Sequence, residues 1–257
     1  MPKLTIAVLT LNEAEQIEAC LNSARFADQL LVVDSGSTDQ TVALARALGA
    51  EVHVHADWQG FAVQRNRLMA HTTGDWVLFL DADEVIPPEL ARDIQTAVSR
   101  DETCVYEVAW LQMAFGQPLT HMRSGDGLPR LFPMRQLLRF EGVVHEGATL
   151  RDPQTPHRPL PTRLHHHSRR TVHQSLLKLA QYAQLGALKR AGVGARGGIW
   201  RGFASGLASF VRLYVFHRGF LCGRAGFLHC FLVALESFFR YAALAVDQDH
   251  LDRPAAR

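Results

Sequence analysis

At 257 residues, with 47% hydrophobic and 20% charged residues, the chain has a globular balance that excludes wholesale disorder and allows one or two domains. The net charge of +2 conceals a division: residues 1–120 carry 7 Lys and Arg against 17 Asp and Glu, whereas residues 121–257 carry 20 against 8. No acid lies between Pro153 and Leu235, so the first half suits a metal ion and the second an anionic partner.

Strand and helix patterns alternate from the start. Strands are expected near 3–9, 29–34, 50–55 and 75–80, and helices near 13–25, 39–49, 62–72 and 87–99. Gly49 stands where a helix-ending glycine belongs, Pro87-Pro88 where a helix begins, and Asp39 where it can cap one. Such βα alternation predicts an α/β fold with a doubly wound, mostly parallel sheet. Residues 103–113 read as one more strand, and 115–165, rich in Gly and Pro, as loops and short strands. Helices are expected again over 170–191, 199–217 and 225–247.

The four cysteines, Cys20, Cys104, Cys222 and Cys230, form no Cys-x-x-Cys pair and read as reduced, mostly buried thiols of a cytosolic protein. The first residues lead straight into a strand, so no signal peptide is expected. In the C-terminal helices Phe203, Leu207, Phe210, Val211 and Tyr214 recur at helical spacing, with Arg201, Arg212 and Arg218 between them. No uncharged apolar run reaches the ~18 residues of a spanning helix. Basic, aromatic helices of this kind suit an anionic membrane interface; ordinary core packing is the alternative.

Residues 77–84, Val-Leu-Phe-Leu-Asp-Ala-Asp-Glu, are the most informative stretch. Asp81 and Asp83 fall where a buried strand emerges, and two hard oxygen donors there suit Mg²⁺ or Mn²⁺ beside phosphate oxygens. The alternative is a plain polar turn. Asp34 ends the second strand in the same way, followed by the small residues Ser35 to Thr38, and Thr10-Leu11-Asn12-Glu13 ends the first. Open α/β sheets bind ligands at these carboxyl ends. The chain has no G-x-G-x-x-G, no Walker lysine loop and no G-x-S-x-G elbow, which disfavours dinucleotide binding, P-loop hydrolysis and esterase chemistry. Asp-x-Asp-x-Val also resembles a haloacid-dehalogenase nucleophile motif. It sits on the fourth strand here, and the later Lys and acidic pair that family needs are not suitably placed.

Taken together, Thr10-Leu11-Asn12-Glu13, Val33 to Thr41, Gln64-Arg65-Asn66 and Leu80-Asp81-Ala82-Asp83-Glu84 resemble, in order, the motifs of family 2 glycosyltransferases of the GT-A fold. The resemblance implies a nucleotide-sugar donor, a UDP-sugar by preference, with Thr10, Glu13 and Asp34 near base and ribose and Asn12, Ser35 and Asn66 as further substrate-binding residues. It implies Arg65 toward the diphosphate, Asp83 as main metal ligand and Asp81 as a second, close to the sugar or ribose. Arg130-Leu131-Phe132 and Phe140 to Glu146 resemble the acceptor-side motif of bacterial lipopolysaccharide core glucosyltransferases, as do the basic C-terminal helices. Glu84-Val85 departs from the Leu-Gln that polyprenyl-phosphate glycosylating relatives carry after the second Asp.

An inverting transfer needs a base for the acceptor hydroxyl. Among Glu107, Asp126, Glu141, Glu146 and Asp152, Glu146 is the expected base because it follows the acceptor-side motif; a surface acid is the alternative. His145 is expected at a diphosphate oxygen or the metal, or simply in packing. His165-His166-His167 is a poor zinc set, since adjacent histidines rarely share one metal; His165 or His167 suits a phosphate or acceptor contact. The reading is therefore a GT-A-type catalytic domain over 1–165 and a basic, membrane-associating helical extension over 166–257. It would move a hexose, glucose from UDP-glucose by preference, onto a phosphorylated, lipid-linked glycan such as lipopolysaccharide inner core, at the cytoplasmic face of the bacterial inner membrane, with no nucleic-acid partner. The alternatives are a polyprenyl-phosphate or protein acceptor, or a non-catalytic nucleotide-sugar binder.

Overall fold

The computed structural model describes residues 1–123, 125, 127–142 and 147–247. The elements in chain order are β1 (Leu4–Thr10), α1 (Ile17–Ser23), β2 (Gln29–Asp34), α2 (Thr41–Ala47), β3 (Glu51–Val54), α3 (Phe61–His71), β4 (Trp76–Asp81), β5 (Glu84–Val85), α4 (Pro88–Arg100), β6 (Val105–Val108), β7 (Trp110–Ala114), β8 (Gln117–Pro118), β9 (Leu128–Pro133), β10 (Leu137–Glu141), β11 (Gly147–Leu150), β12 (His157–Pro159), β13 (Leu164–Arg169), α5 (Val172–Ala191), α6 (Ile199–Val211) and α7 (Gly223–Val246). The chain divides into two compact units, one of Met1–Trp110 with Gly125–His166, the other of Leu111–Ser124 with His167–Arg257.

The first unit is built on a seven-stranded sheet in the order β12-β6-β9-β4-β1-β2-β3. Neighbours from β4 to β3 run parallel, as do β12 and β6, while β9 runs antiparallel to both β4 and β6. Burial on both faces explains the unbroken apolar runs of β1 and β4. Ile6, Val8, Trp76, Leu78 and Leu80 pack toward Ile17, Leu21, Leu90 and Ile94. On the other face Ala7, Val77 and Phe79 meet Leu68, Phe132 and Phe140. Helix α4 begins with Pro88 after an extended Pro87 and buries Leu90, Ile94, Ala97 and Val98, spaced for one helical face. Gly49, at φ +87°, follows α2 in the left-handed region.

Three expectations are corrected. Residues 103–113 form two strands, β6 and β7, broken at Ala109. The helix expected over 199–217 stops at Val211 and continues as a wider turn over Arg212–Phe216. Asp39 precedes α2 by two residues; its carboxylate accepts the N–H of Thr41 at 3.0 Å and of Ala14 at 3.1 Å, joining two loops.

The second unit holds the β7–β8 hairpin and helices α5 to α7. Its helices approach through small residues: a Cβ on Gly202 would stand 2.8 Å from the Phe238 carbonyl, and one on Gly206 3.0 Å from that of Ala234. Ser205 and Ser237 hydroxyls pair at 2.8 Å in the same seam. On the outside, Trp200, Phe203 and Leu207 of α6 are exposed, as are Phe216, Phe220, Phe227 and Phe231. Among the described residues one helical stretch, Gly219–Val246, is long and apolar enough to cross a membrane by length and composition alone.

Candidate active site

Strand register sets the site. Thr10 lies beside Asp34 across β1–β2, and Leu9 beside Asp81 across β1–β4, so three polar strand ends share one edge of the sheet. Beyond Asp81 the chain turns through Ala82 and Asp83 into β5, where Glu84 lies opposite His166 of β13 and Val85 opposite His165.

The carboxylates are held by buried cations and donors. Arg130, 3% exposed on β9, donates through Nη2 to Asp81 Oδ2 at 3.0 Å and to Glu84 Oε1 at 2.8 Å. Its guanidinium also lies 5.5 Å from the Trp110 ring centre. Trp110 Nε1 donates to Glu84 Oε1 at 2.6 Å, and the Asp81 N–H to Glu84 Oε2 at 2.8 Å. On the opposite side Arg65 of α3 reaches to 3.8 Å from Asp81 Oδ1, its guanidinium 5.6 Å and 5.4 Å from the Phe79 and Phe140 ring centres. Asp83 Oδ2 stands 3.4 Å from His166 Nε2.

The charges follow from this arrangement. Burial works against an ionised Asp81, but Arg130 and Arg65 outweigh it and hold the carboxyl below its usual range. Burial pushes Glu84 up to about 7, against the pull of Arg130. Burial alone would lower His166; the Asp83 carboxylate turns the balance upward. Cys20, which donates its S–H to the Asp81 carbonyl at 3.6 Å, is pushed up by burial and then by the neighbouring acids, so it stays a neutral thiol.

The other expected residues divide into two groups. Thr10 stays at the site: it is 3% exposed and its Oγ1 is buried with no partner among the described residues, an atom that calls for a ligand or water. Asp34 is fully buried, its Oδ1 accepting the N–H groups of Gly36 at 2.9 Å and Ser37 at 2.8 Å, and its Oδ2 the Ser37 hydroxyl. It shapes its own loop, which leaves little of the carboxylate for a base N–H. Gly36 has φ +98° and packs so near Ala56 that a Cβ would stand 3.1 Å from the alanine's.

Asn12, left-handed at φ +54°, ties this loop to β1: its N–H donates to Ser37 Oγ at 2.8 Å and its Oδ1 accepts from Thr38 N–H at 2.9 Å. The Glu13 N–H donates to Thr41 Oγ1 at 2.8 Å, and its Oε2 accepts from Gln16 at 2.9 Å. Ser35 accepts from Gln64 Nε2 at 3.0 Å. Asn66 departs from expectation. Its Nδ2 donates to the Phe140 carbonyl at 3.0 Å and its Oδ1 accepts the Phe140 N–H at 2.8 Å, so both ends of the amide pin β10 to α3 rather than face a substrate. Arg130, expected on the acceptor side, is committed to the Asp81–Glu84 pair. Glu146, His145 and Asp126 lie outside the described residues.

Sequence reasoning placed Gln64 and Glu84 in the motifs and His166 in the histidine triplet but gave none of them a role in this assembly. Gln64 is fully buried one turn before buried Leu68, an i, i+4 pairing that could have revealed it.

The donor set fits a hard divalent ion: two carboxylates two residues apart, Asp81 still 39% exposed on its side chain, with an imidazole beside Asp83. Asp81, Asp83 and His166 would hold it. The mostly parallel sheet thus brings paired acids, arginines and a buried hydroxyl without a partner among the described residues to its carboxyl edge. The chain belongs to glycosyl transferase family 2, whose model matches residues 5–149.

Among curated proteins it is similar to a TPR repeat-containing protein of Synechococcus elongatus, at 34% identity covering 57% of this chain and 35% of the relative. An uncharacterized glycosyltransferase of Rickettsia prowazekii is 34% identical over 54% of this chain and 46% of the relative. The chain thus spans less than half the length of these relatives. Among solved structures it is similar to a mannosyltransferase of Pyrobaculum calidifontis in complex with GDP-Man and Mn²⁺ (28% identity, 42% of this chain, 36% of the other, TM-score 0.38). It is also similar to glucosyl-3-phosphoglycerate synthase of Mycobacterium tuberculosis with Mn²⁺, UDP and phosphoglyceric acid (26%, 45% and 44%, TM-score 0.36).

Proposed function

We propose that the chain is an inverting hexosyltransferase taking glucose from UDP-glucose to a phosphorylated, lipid-linked glycan such as lipopolysaccharide inner core. The observation that carries the donor side is Asp81 at the sheet's carboxyl edge, paired to Arg65 and Arg130, with Asp83 against His166 two residues on and the buried Thr10 Oγ1, without a partner among the described residues, at the end of the neighbouring strand. A bound Mg²⁺ or Mn²⁺ supplies charge neutralisation for the departing diphosphate. The protein's own groups do the rest. Arg65, stacked on Phe79 and Phe140, is aimed to donate to diphosphate oxygens. Thr10, Asn12, Glu13, Asp34 and Ser35 form the wall for base and ribose. Asp83 with His166, and Asp81, position the donor's reacting end. Glu146 takes the acceptor hydroxyl's proton.

The boundary expected at 165 shifts by one residue to keep His166 with Asp83: residues 1–110 and 125–166 act as the catalytic domain, and 167–257 as a basic extension on the cytoplasmic face of the bacterial inner membrane. Exposed Trp200, Phe203 and Leu207 beside Arg201 support that extension, since an apolar helix face with basic neighbours suits an anionic interface. Calorimetry with UDP-glucose and Mn²⁺ tests the donor reading: wild type is expected to bind and Asp83→Ala to lose binding. Unchanged donor binding in that variant would remove the metal assignment. Mass spectrometry of product from membrane extracts identifies the acceptor, and a glycosylated protein or polyprenyl phosphate there would displace the lipopolysaccharide reading.

A further inference from the structure

At one edge of the sheet β3 forms the outer strand, with β1 and β2 between it and β4. Successive odd residues of a strand share a face, so Glu51, His53 and, just past the strand's end, His55 project together. The last residue of α3, His71, covers them. Its ring stacks on His53 at 3.5 Å between centres and 10° between planes, and lies 6.3 Å from His55. His53 Nε2 and Glu51 Oε1 are 2.7 Å apart. One ligand atom from each of Glu51, His53 and His71 lies within 4.8 Å of the others.

We propose that Glu51, His53 and His71 form a second metal site, specific for a zinc-class divalent cation and separate from the acids at Asp81 and Asp83. Two imidazoles and a carboxylate are the donors that a borderline cation prefers and that Mg²⁺ does not. Tetrahedral bonds of ~2.0–2.1 Å set ligand atoms about 3.3 Å apart, against the 4.8 Å within which these three lie, so the His53 and His71 rings must turn out of their stack to reach one ion.

Two further observations mark a built site rather than a chance surface cluster. Gln29 Nε2 donates to Glu51 Oε2 at 2.8 Å and to the His71 carbonyl at 3.0 Å. Its Oε1 is fixed in turn by Thr5 Oγ1 at 2.7 Å and by Thr73 N–H and Oγ1, both at 2.9 Å. That gives Glu51 the orienting outer shell typical of metal ligands. His55 Nε2 is buried with no hydrogen-bond partner among the described residues, although its backbone is pinned by its N–H to Asp34 at 2.7 Å and by Gln64 on its carbonyl at 3.3 Å. That ring lies 6.3 Å from His71 between centres, next to the three groups whose ligand atoms converge. Binding would clamp the outer strand to the end of α3.

The test is ZnCl₂ titration of the full chain by calorimetry with millimolar Mg²⁺ present to occupy the hard-oxygen site. One equivalent is expected at about 1–100 μM, with loss of at least tenfold affinity in His53→Ala and in His71→Ala and about 10–100-fold in Gln29→Leu. Retained uptake in the His53→Ala/His71→Ala double variant, or no saturable uptake by wild type, overturns the proposal. X-ray absorption on the wild-type zinc complex decides independently of how the variants fold. A nitrogen and oxygen shell with outer imidazole scattering supports the site, and a sulfur-containing or oxygen-only shell refutes it.

Discussion

Glu84→Gln tests the electrostatic core of the candidate active site. Glu84 is fully buried and its carboxyl is pushed up to about 7 from an ordinary 4.5. The sign follows from linkage. The folded chain holds this proton more tightly than the unfolded chain, so Glu84 favours the fold at pH below about 4.5 and loses that advantage as pH rises through 7. Over that window the loss is about 3 kcal/mol at ~1.4 kcal/mol per pH unit. Glutamine copies the protonated acid: its carbonyl can accept from Arg130 and Trp110, while its NH₂ confronts the Asp81 N–H, which costs about 1 kcal/mol. The variant should therefore be about as stable as wild type at pH 5, where wild type has already lost about 1 kcal/mol of that advantage, and about 2 kcal/mol more stable near pH 8. The assay is thermal unfolding by circular dichroism with chelator present, where 1 kcal/mol corresponds to about 2–4 °C at this size. Parallel curves for variant and wild type from pH 5 to 8 would refute the reasoning and show that Arg130 keeps Glu84 ionised throughout.

Asn66→Ala removes both hydrogen bonds to Phe140 and should lower stability by about 1–3 kcal/mol, read by denaturant unfolding. Gly74→Ala places a Cβ 2.7 Å from the Thr5 N and 2.9 Å from the Lys3 carbonyl; since backbone cannot yield cheaply, a loss of about 1–3 kcal/mol is expected in the same assay. Replacing Trp200, Phe203 and Leu207 together by Ser should reduce co-sedimentation with anionic phosphatidylglycerol vesicles severalfold, while thermal unfolding stays close to wild type because all three are exposed.

What was legible in the chain follows from where physics is local. Buried parallel strands must be apolar along their length, so β1, β2 and β4, and the polar residues Thr10, Asp34 and Asp81 that end them, could be read directly. Strand β9 could not, because Pro129 and Pro133 argue against a strand inside a sheet. It is tolerated because Pro133 sits at the strand's end opposite Trp76, and Pro129 beside a register slip between Tyr106 and Glu107. The histidine triplet shows a second limit. Alternation puts His166 on one face and His165 and His167 on the other, but only the pairing with β5 decides which face meets Asp83. Asn66 shows a third: a polar helix residue facing inward satisfies a distant backbone as readily as a ligand, and sequence does not distinguish the two.

The charge balance of the acid cluster leads to a prediction about order of binding. With Glu84 protonated, Asp81 and Asp83 stand against Arg65 and Arg130, so the cluster is near neutrality before any ligand arrives. A lone divalent cation then meets little net attraction, and a lone diphosphate, with about two negative charges, must approach two carboxylates. The cation and diphosphate together carry almost no net charge and satisfy both sets of groups at once. Their affinities must therefore be coupled, and by equal factors in both directions. Calorimetric titration of Mn²⁺ with and without UDP should show at least tenfold tighter metal binding in the presence of nucleotide, and UDP should gain the same factor from Mn²⁺. Equal Mn²⁺ affinity in both titrations would mean that the arginines leave Asp81 and Asp83 able to hold the ion unaided, contrary to the geometry around Asp81.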